Sequence, residues 1–217
     1  MTVLKRTDLW LFIGSILIFT FFSKIDLWMS GFFFDSGFYL KDHFFFWAIY
    51  EIFGRLPLLL VPLLIGLSIY FFFKFRDSNE SFKKKIYTFL TLSLLLGPGL
   101  LVNTILKNNS IGRARPNQIT EFGGNADFTR AFEYSGACDT NCSFVSGHAS
   151  MGFYFIALGW LFQSKRWFYI GLVIGVVVGL TRIVQGGHFL SDTVFALWAV
   201  YWVNLGLGKL LKIKSPI

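Results

Sequence analysis

A chain of 217 residues that is 54% hydrophobic and 20% aromatic, with Phe alone supplying 28, is more apolar than a soluble domain usually is. Its net charge of +8 does not point to nucleic acid, because the cations cluster beside apolar runs, where anionic lipid head groups account for them better. The expectation is an all-α integral membrane protein of one domain, residues 1–217, since a span needs roughly 20 mostly apolar residues in a helix to pair every backbone amide.

In chain order, the first predicted span is 9–22. It follows Lys5 and Arg6, and no small-x-small cleavage site lies near 23–31, so it reads as a retained span and not a cleaved leader. Residues 24–55 are rich in aromatic side chains (Trp28, Phe32, Trp47, Tyr50) but are interrupted by Asp35, Lys41, Asp42 and His43. That stretch is too polar to cross and is expected in the outer interface, as an anchor or as a wall of the lipid access path. His43 belongs there with solvent or head groups, not with catalysis. Spans at 56–73 and 86–106 follow, then the long polar loop 107–145. This loop holds the only cysteines, Cys138 and Cys142, a candidate disulfide in an oxidising compartment. Further spans at 147–162, 167–184 and 189–207 bring the expected number of transmembrane helices to six.

Charge sets the orientation. With an inward amino terminus, the inner side holds Lys5, Arg6, Lys74, Arg76, Lys83, Lys84, Lys85, Lys165, Arg166, Lys209, Lys212 and Lys214, whereas the outer segments carry nine of the twelve acids. Both termini are then cytoplasmic, and the loop 107–145 is outside.

Three patterns place ionisable residues at the outer edges of apolar helices, where they are costly and read as functional. Lys107, Arg113 and Arg115-Pro116 lie at the end of the third span, and three cations there can hold a phosphate dianion. Ser146-Gly147-His148 opens the fourth span, where free backbone amides and the helix dipole favour an anion. Arg182 closes the fifth, and His188 and Asp192, four apart, share one face of the last helix's first turn. Asp192 would accept a hydrogen bond from one ring nitrogen of His188 and leave the other free to attack. Lys107, Arg115 and Arg182 would stabilise charge on the equatorial oxygens of an in-line transition state, His188 would carry the phosphoryl group, and His148 would protonate the leaving oxygen and then activate water. The scheme calls for no metal ion and no cofactor.

In order and approximate spacing, these residues resemble the signature of the type 2 phosphatidic acid phosphatase family, K-x6-R-P, P-S-G-H and S-R-x5-H-x3-D. The resemblance covers 107–192 and implies a six-helix membrane fold and metal-independent dephosphorylation through phosphohistidine. It assigns catalysis to His188, His148 and Asp192, and phosphate binding to Lys107, Arg115, Ser146, Gly147 and Arg182. The chain departs from the pattern in three ways: seven residues separate Lys107 from Arg115, Val145 replaces the proline, and Thr181 replaces the serine. One extra helical residue turns a side chain by about 100° unless a bulge or the loop absorbs it, which makes Arg113 a candidate additional phosphate contact.

Within the family, 121–124 and 141–150 resemble bacterial lipid A phosphatases, of the 1- or 4′-position. This implies the inner membrane, a site facing the periplasm and a phosphorylated lipid substrate, with no obligate protein partner evident. Rival readings are a phosphatase of undecaprenyl diphosphate, phosphatidylglycerol phosphate or phosphatidic acid, and, outside the enzymes, a protein that binds or transports anionic lipid.

Overall fold

The computed structural model describes residues 7–76 and 81–217, which are helical with no strand among them. Lys5 and Arg6 lie outside the described residues. Helix α1 (Thr7–Phe21) turns by 82° into the short α2 (Lys24–Gly31). Helix α3 (Phe44–Lys74) is capped at its start by exposed His43, whose Nδ1 accepts a hydrogen bond from the Phe45 amide at 3.3 Å. Helix α4 (Phe82–Leu94) continues without a break as a π-helical segment (Leu95–Leu106). After the long loop come α5 (Gly147–Phe153), a 3₁₀ turn (Tyr154–Ala157), α6 (Leu158–Phe162), α7 (Lys165–Val184) and α8 (Leu190–Leu210).

Four of these helices are long and apolar enough to cross a membrane, or five if α1 and α2 together form one bent span. Two expectations change. The interfacial stretch expected at 24–55 ends early, because α3 begins at Phe44 and not near residue 56. The polar residues that argued against a span, Asp35, Lys41, Asp42 and His43, all precede α3, and within it Glu51 and Arg55, one helical turn apart, pair at 2.6 Å. The span expected at 147–162 is instead a chain of short helical pieces. It is enclosed by neighbours on most sides, with Ala149, Phe153, Ile156 and Trp160 almost fully buried.

Close helix approach holds this central rod. Apolar side chains gain little by leaving lipid for protein, so membrane helices associate through tight packing and small residues. On α7, Gly171, Gly175 and Gly179 form one stripe. A Cβ at Gly171 would lie 2.2 Å from the Phe155 carbonyl, and one at Gly175 would lie 2.0 Å from the Phe153 ring. Buried polar contacts add specificity: Tyr154 donates to the Leu90 carbonyl at 3.1 Å, Thr91 to the Leu64 carbonyl at 3.0 Å, and Ser93 pairs with Asn204. Helix α1 joins through Phe12, edge-on to Trp198 and Trp202 of α8. The outward faces of α3, including Leu58, Leu59 and Phe73, are exposed, as suits a lipid-facing helix.

Candidate active site

At one end of the bundle, the starts of α3, α5 and α8 meet the ends of the π-helical segment and of α7. Helix α7 closes with the Gly187 and His188 amides donating to the Arg182 carbonyl at 2.9 and 3.2 Å, through Gly186 at φ +65°. This turn carries His188 inward until it is fully buried. Its Nδ1 lies 2.7 Å from the Ser143 carbonyl. A carbonyl can only accept, so Nδ1 bears the proton and Nε2 keeps its lone pair. Nε2 has no hydrogen-bond partner. Burial first, then Lys107, Arg182, Arg115 and His148, hold the imidazole well below the usual histidine range, so the ring is neutral near pH 7 and nucleophilic.

Asp192 was expected to accept the His188 proton directly. Its Oδ2 instead stands 3.6 Å from Nδ1, and takes bonds from the Ser143 hydroxyl at 2.5 Å and the Phe189 amide at 2.8 Å. The carboxylate therefore fixes the segment whose carbonyl fixes the histidine. Ser143 was not singled out from the sequence, because its part is played by a backbone oxygen.

The cations fall into two groups. Lys107, Arg115 and Arg182 are close enough to affect one another, and Lys107 is pushed down to about 8 by burial, then by Arg115 and Arg182. The interval from Lys107 to Arg115 runs through turns and loop beyond the π-helical segment, which ends at Leu106 with the Lys107 amide bonded five residues back to the Val102 carbonyl at 3.0 Å. Wide turns rotate a side chain relative to an α-helical count, and the ammonium reaches the start of α5: a Cβ at Gly147 would lie 3.4 Å from Lys107 Nζ and 2.4 Å from Asn103 Oδ1. Arg115 donates to the Asn141 carbonyl at 2.7 Å. Asn141 sits in the loop that a Cys138–Cys142 disulfide closes. Arg182 bonds Gln185, lies 4.6 Å above the Tyr50 ring and packs where a Gly187 Cβ would be only 2.2 Å away.

Arg113 stands apart. Its guanidinium is fully buried and bonds Thr129, Ser191, Asp192 and Asp26 at 2.8 to 2.9 Å. It is thus a link within the protein, in place of the additional phosphate contact expected from the sequence.

Ser146 caps α5, its hydroxyl accepting from the Ala149 amide at 3.3 Å. Two residues on, His148 stacks on Tyr50 of α3 with ring centres 4.5 Å apart, and its Nε2 is buried without a partner. Tyr50 was read only as part of an aromatic anchor. It lies between Arg182 and His148, a placement that needs the α3 contact to be seen. Among the described residues, no three of His, Cys, Asp and Glu gather as a metal-binding group.

Two cavities reach this cluster. One, of about 280 Å³, is lined by Phe53, Pro57, Leu95 and Pro98 and meets Lys107 and His148. The other, of about 240 Å³, is bounded by the polar side chains of Lys41, Asp42, Asn117, Gln185, Arg115 and Arg182 together with the rings of Trp47 and Tyr50.

Comparison with known proteins shows the family. The PAP2 superfamily model matches residues 86–207. The chain belongs to the PAP2 superfamily. The resemblance read from Lys107 to Asp192 is borne out, and with it the assignment to a phosphatase family. The chain is 33% identical over 201 residues to a lipid A 4′-phosphatase of Francisella tularensis subsp. novicida, covering 85% of this chain and 88% of that protein. It is 30% identical over 202 residues to a lipid A 4′-phosphatase of Rhizobium leguminosarum, covering 85% and 86%. A lipid A 1-phosphatase of Rhizobium johnstonii is 36% identical over 112 residues, covering 49% of this chain and 41% of that protein. No solved structure matches.

Proposed function

We propose that the chain is a membrane lipid phosphatase that removes a phosphate monoester from lipid A through a phosphohistidine on His188, without a metal ion. The observation that carries the chemistry is the state of His188: neutral, with Nδ1–H given to a carbonyl and Nε2 unpartnered beside three cations. In the first step the Nε2 lone pair forms the N–P bond while the P–O bond to the lipid breaks, and His148 passes a proton to the departing oxygen. In the second, water attacks phosphorus and gives a proton to His148, and the N–P electrons return to Nε2 as inorganic phosphate leaves. Lys107, Arg115 and Arg182 offset charge on the phosphoryl oxygens in both steps.

The 4′-phosphate is favoured over the 1-phosphate, because two relatives named for the 4′-position match along most of both chains, whereas a third named for it and those named for the 1-position match along about half or less. The apolar cavity beside His148 suits the lipid side of the ester, and the cavity bounded by Arg115 and Arg182 the aqueous side. In this reading the bent pair α1–α2 and the broken rod of α5 and α6 each count as a span, which makes six, and the site faces the periplasm from a bacterial inner membrane; the lysines and arginines at the other end support that orientation. Mass spectrometry of lipid A from a host expressing the chain tests the substrate. Loss of the 4′-phosphate is expected, and an unchanged phosphate pattern rejects lipid A in favour of a diphosphate or glycerolipid substrate.

A further inference from the structure

We infer that Asp26, on α2, is a positioning residue for the nucleophile, acting through a buried Asp26–Arg113–Asp192 bridge; this rests on the reading of His188 above. Asp26 lies outside every motif in the sequence, yet it is fully buried. Its oxygens accept from the Ser191 amide at 2.8 Å, the Ser191 hydroxyl at 2.5 Å and Arg113 Nη2 at 2.8 Å. Arg113 Nη1 bonds Asp192 at 2.8 Å, and Asp192 holds Ser143, whose carbonyl takes the His188 proton. The contacts therefore run without a gap from α2 to the ring that would attack phosphorus. The fully buried residues of α2 are Asp26 and Ser30, both polar, so the bridge joins this helix to the bundle beside the partly buried Ile25 and Leu27.

Charge gives the bridge a second effect. An arginine paired with Asp192 alone would cancel it. Two carboxylates around one guanidinium leave a net negative charge, and Asp192 is the carboxylate nearest Nδ1, at 3.6 Å. Forming the N–P bond puts positive charge on the imidazole, which that excess stabilises in a buried setting where screening is weak. Asp26 thus orients Asp192 and keeps it from being neutralised by Arg113.

The test uses the full chain in detergent, with phosphate release from bis-phosphorylated lipid A and trapping of labelled phosphohistidine. Asp26→Asn is expected to lower kcat ~30-fold with KM changed less than ~3-fold, and to slow phosphohistidine formation by the same factor. In an Asp192→Asn background the same change should cost less than ~3-fold, because the route to His188 is already cut. Adding Arg113→Gln to Asp26→Asn restores the net charge of the cluster, with Asp192 still bonded by the Ser143 hydroxyl and the Phe189 amide. It should recover ~10-fold of the lost kcat, and if Asp26→Asn alone does not fold, this pair carries the test through its kcat, expected within ~10-fold of the wild type. Additive losses in the Asp192 background, a change confined to KM, or a folded pair ~100-fold or more below the wild type would each overturn the inference while leaving the functional reading intact. A wild-type chain that releases no phosphate overturns that reading and the inference with it.

Discussion

The two histidines are held by different means. His188 stands on a polar framework: the Ser143 carbonyl on one ring nitrogen, and behind it Asp192, Arg113 and Asp26 in a buried ion bridge. His148 stands on packing, with Tyr50 stacked on its ring and Gly54 against its edge, beside an apolar cavity. A nucleophile needs one tautomer and a fixed line of attack, which directional hydrogen bonds supply. A group that gives a proton and later takes one must serve two steps, and a ring clamped by stacking keeps its nitrogen free for both.

Four measurements would break or sharpen this contrast. His188→Ala removes the atom that forms the N–P bond, and phosphate release should fall by ~10⁴-fold or more with thermal stability and detergent elution unchanged; residual turnover above a hundredth of the wild type would refute the nucleophile assignment. His148→Ala should cost ~10² to 10⁴-fold on a lipid substrate, yet much less in the first step with p-nitrophenyl phosphate, whose leaving group needs no proton, so that phosphohistidine accumulates. Equal losses on both substrates would count against His148 as the acid. Gly54→Ala tests the packed side: the new Cβ would lie 3.1 Å from His148 Nε2. A loss of ~10-fold in kcat with KM nearly constant is expected, and wild-type kinetics would show that the ring has room to spare. The smallest effect is on pH dependence. Lys107 is charged below about 8 and neutral above it, so kcat/KM should fall severalfold as pH rises through that value, and Lys107→Arg should move the limb upward. A limb that Lys107→Arg leaves in place belongs to another group.

What the sequence disclosed follows the range of the interactions. The spacing of His188, two residues ahead of α8, from Asp192 on its first turn and the capped opening at Ser146 are local features, and both were legible, although His188 was expected on the helix itself. The direct His188–Asp192 bond was not the bond formed, because Ser143 enters from a loop 45 residues away in the chain. Asp26 reaches Arg113 and Ser191 across 87 and 165 positions, and no spacing rule spans such gaps. The seven-residue interval before Arg115 looked like a misplaced Lys107 because α-helical counting was assumed, whereas 107–115 is turn and loop beyond the π-helical segment. The beginning of α3 was missed because the polar residues Asp35, Lys41, Asp42 and His43 were read as setting the character of all of 24–55, whereas they end before Phe44. Of the spans, the long apolar runs in α3, α4, α7 and α8 were readable, whereas the enclosed rod at 147–162 resembles a span in composition and differs in being broken into short pieces.

The 31 residues of α3 give it a length of about 46 Å at 1.5 Å per residue, against roughly 30 Å of hydrocarbon. Counting down from Phe44, Tyr50 comes about 9 Å along this rod and Gly54 about 15 Å, which sets the reaction at the level where acyl chains give way to head groups. A substrate with several fatty tails could then be processed while those tails stay dissolved among their neighbours, with only the small inorganic product having to depart into water.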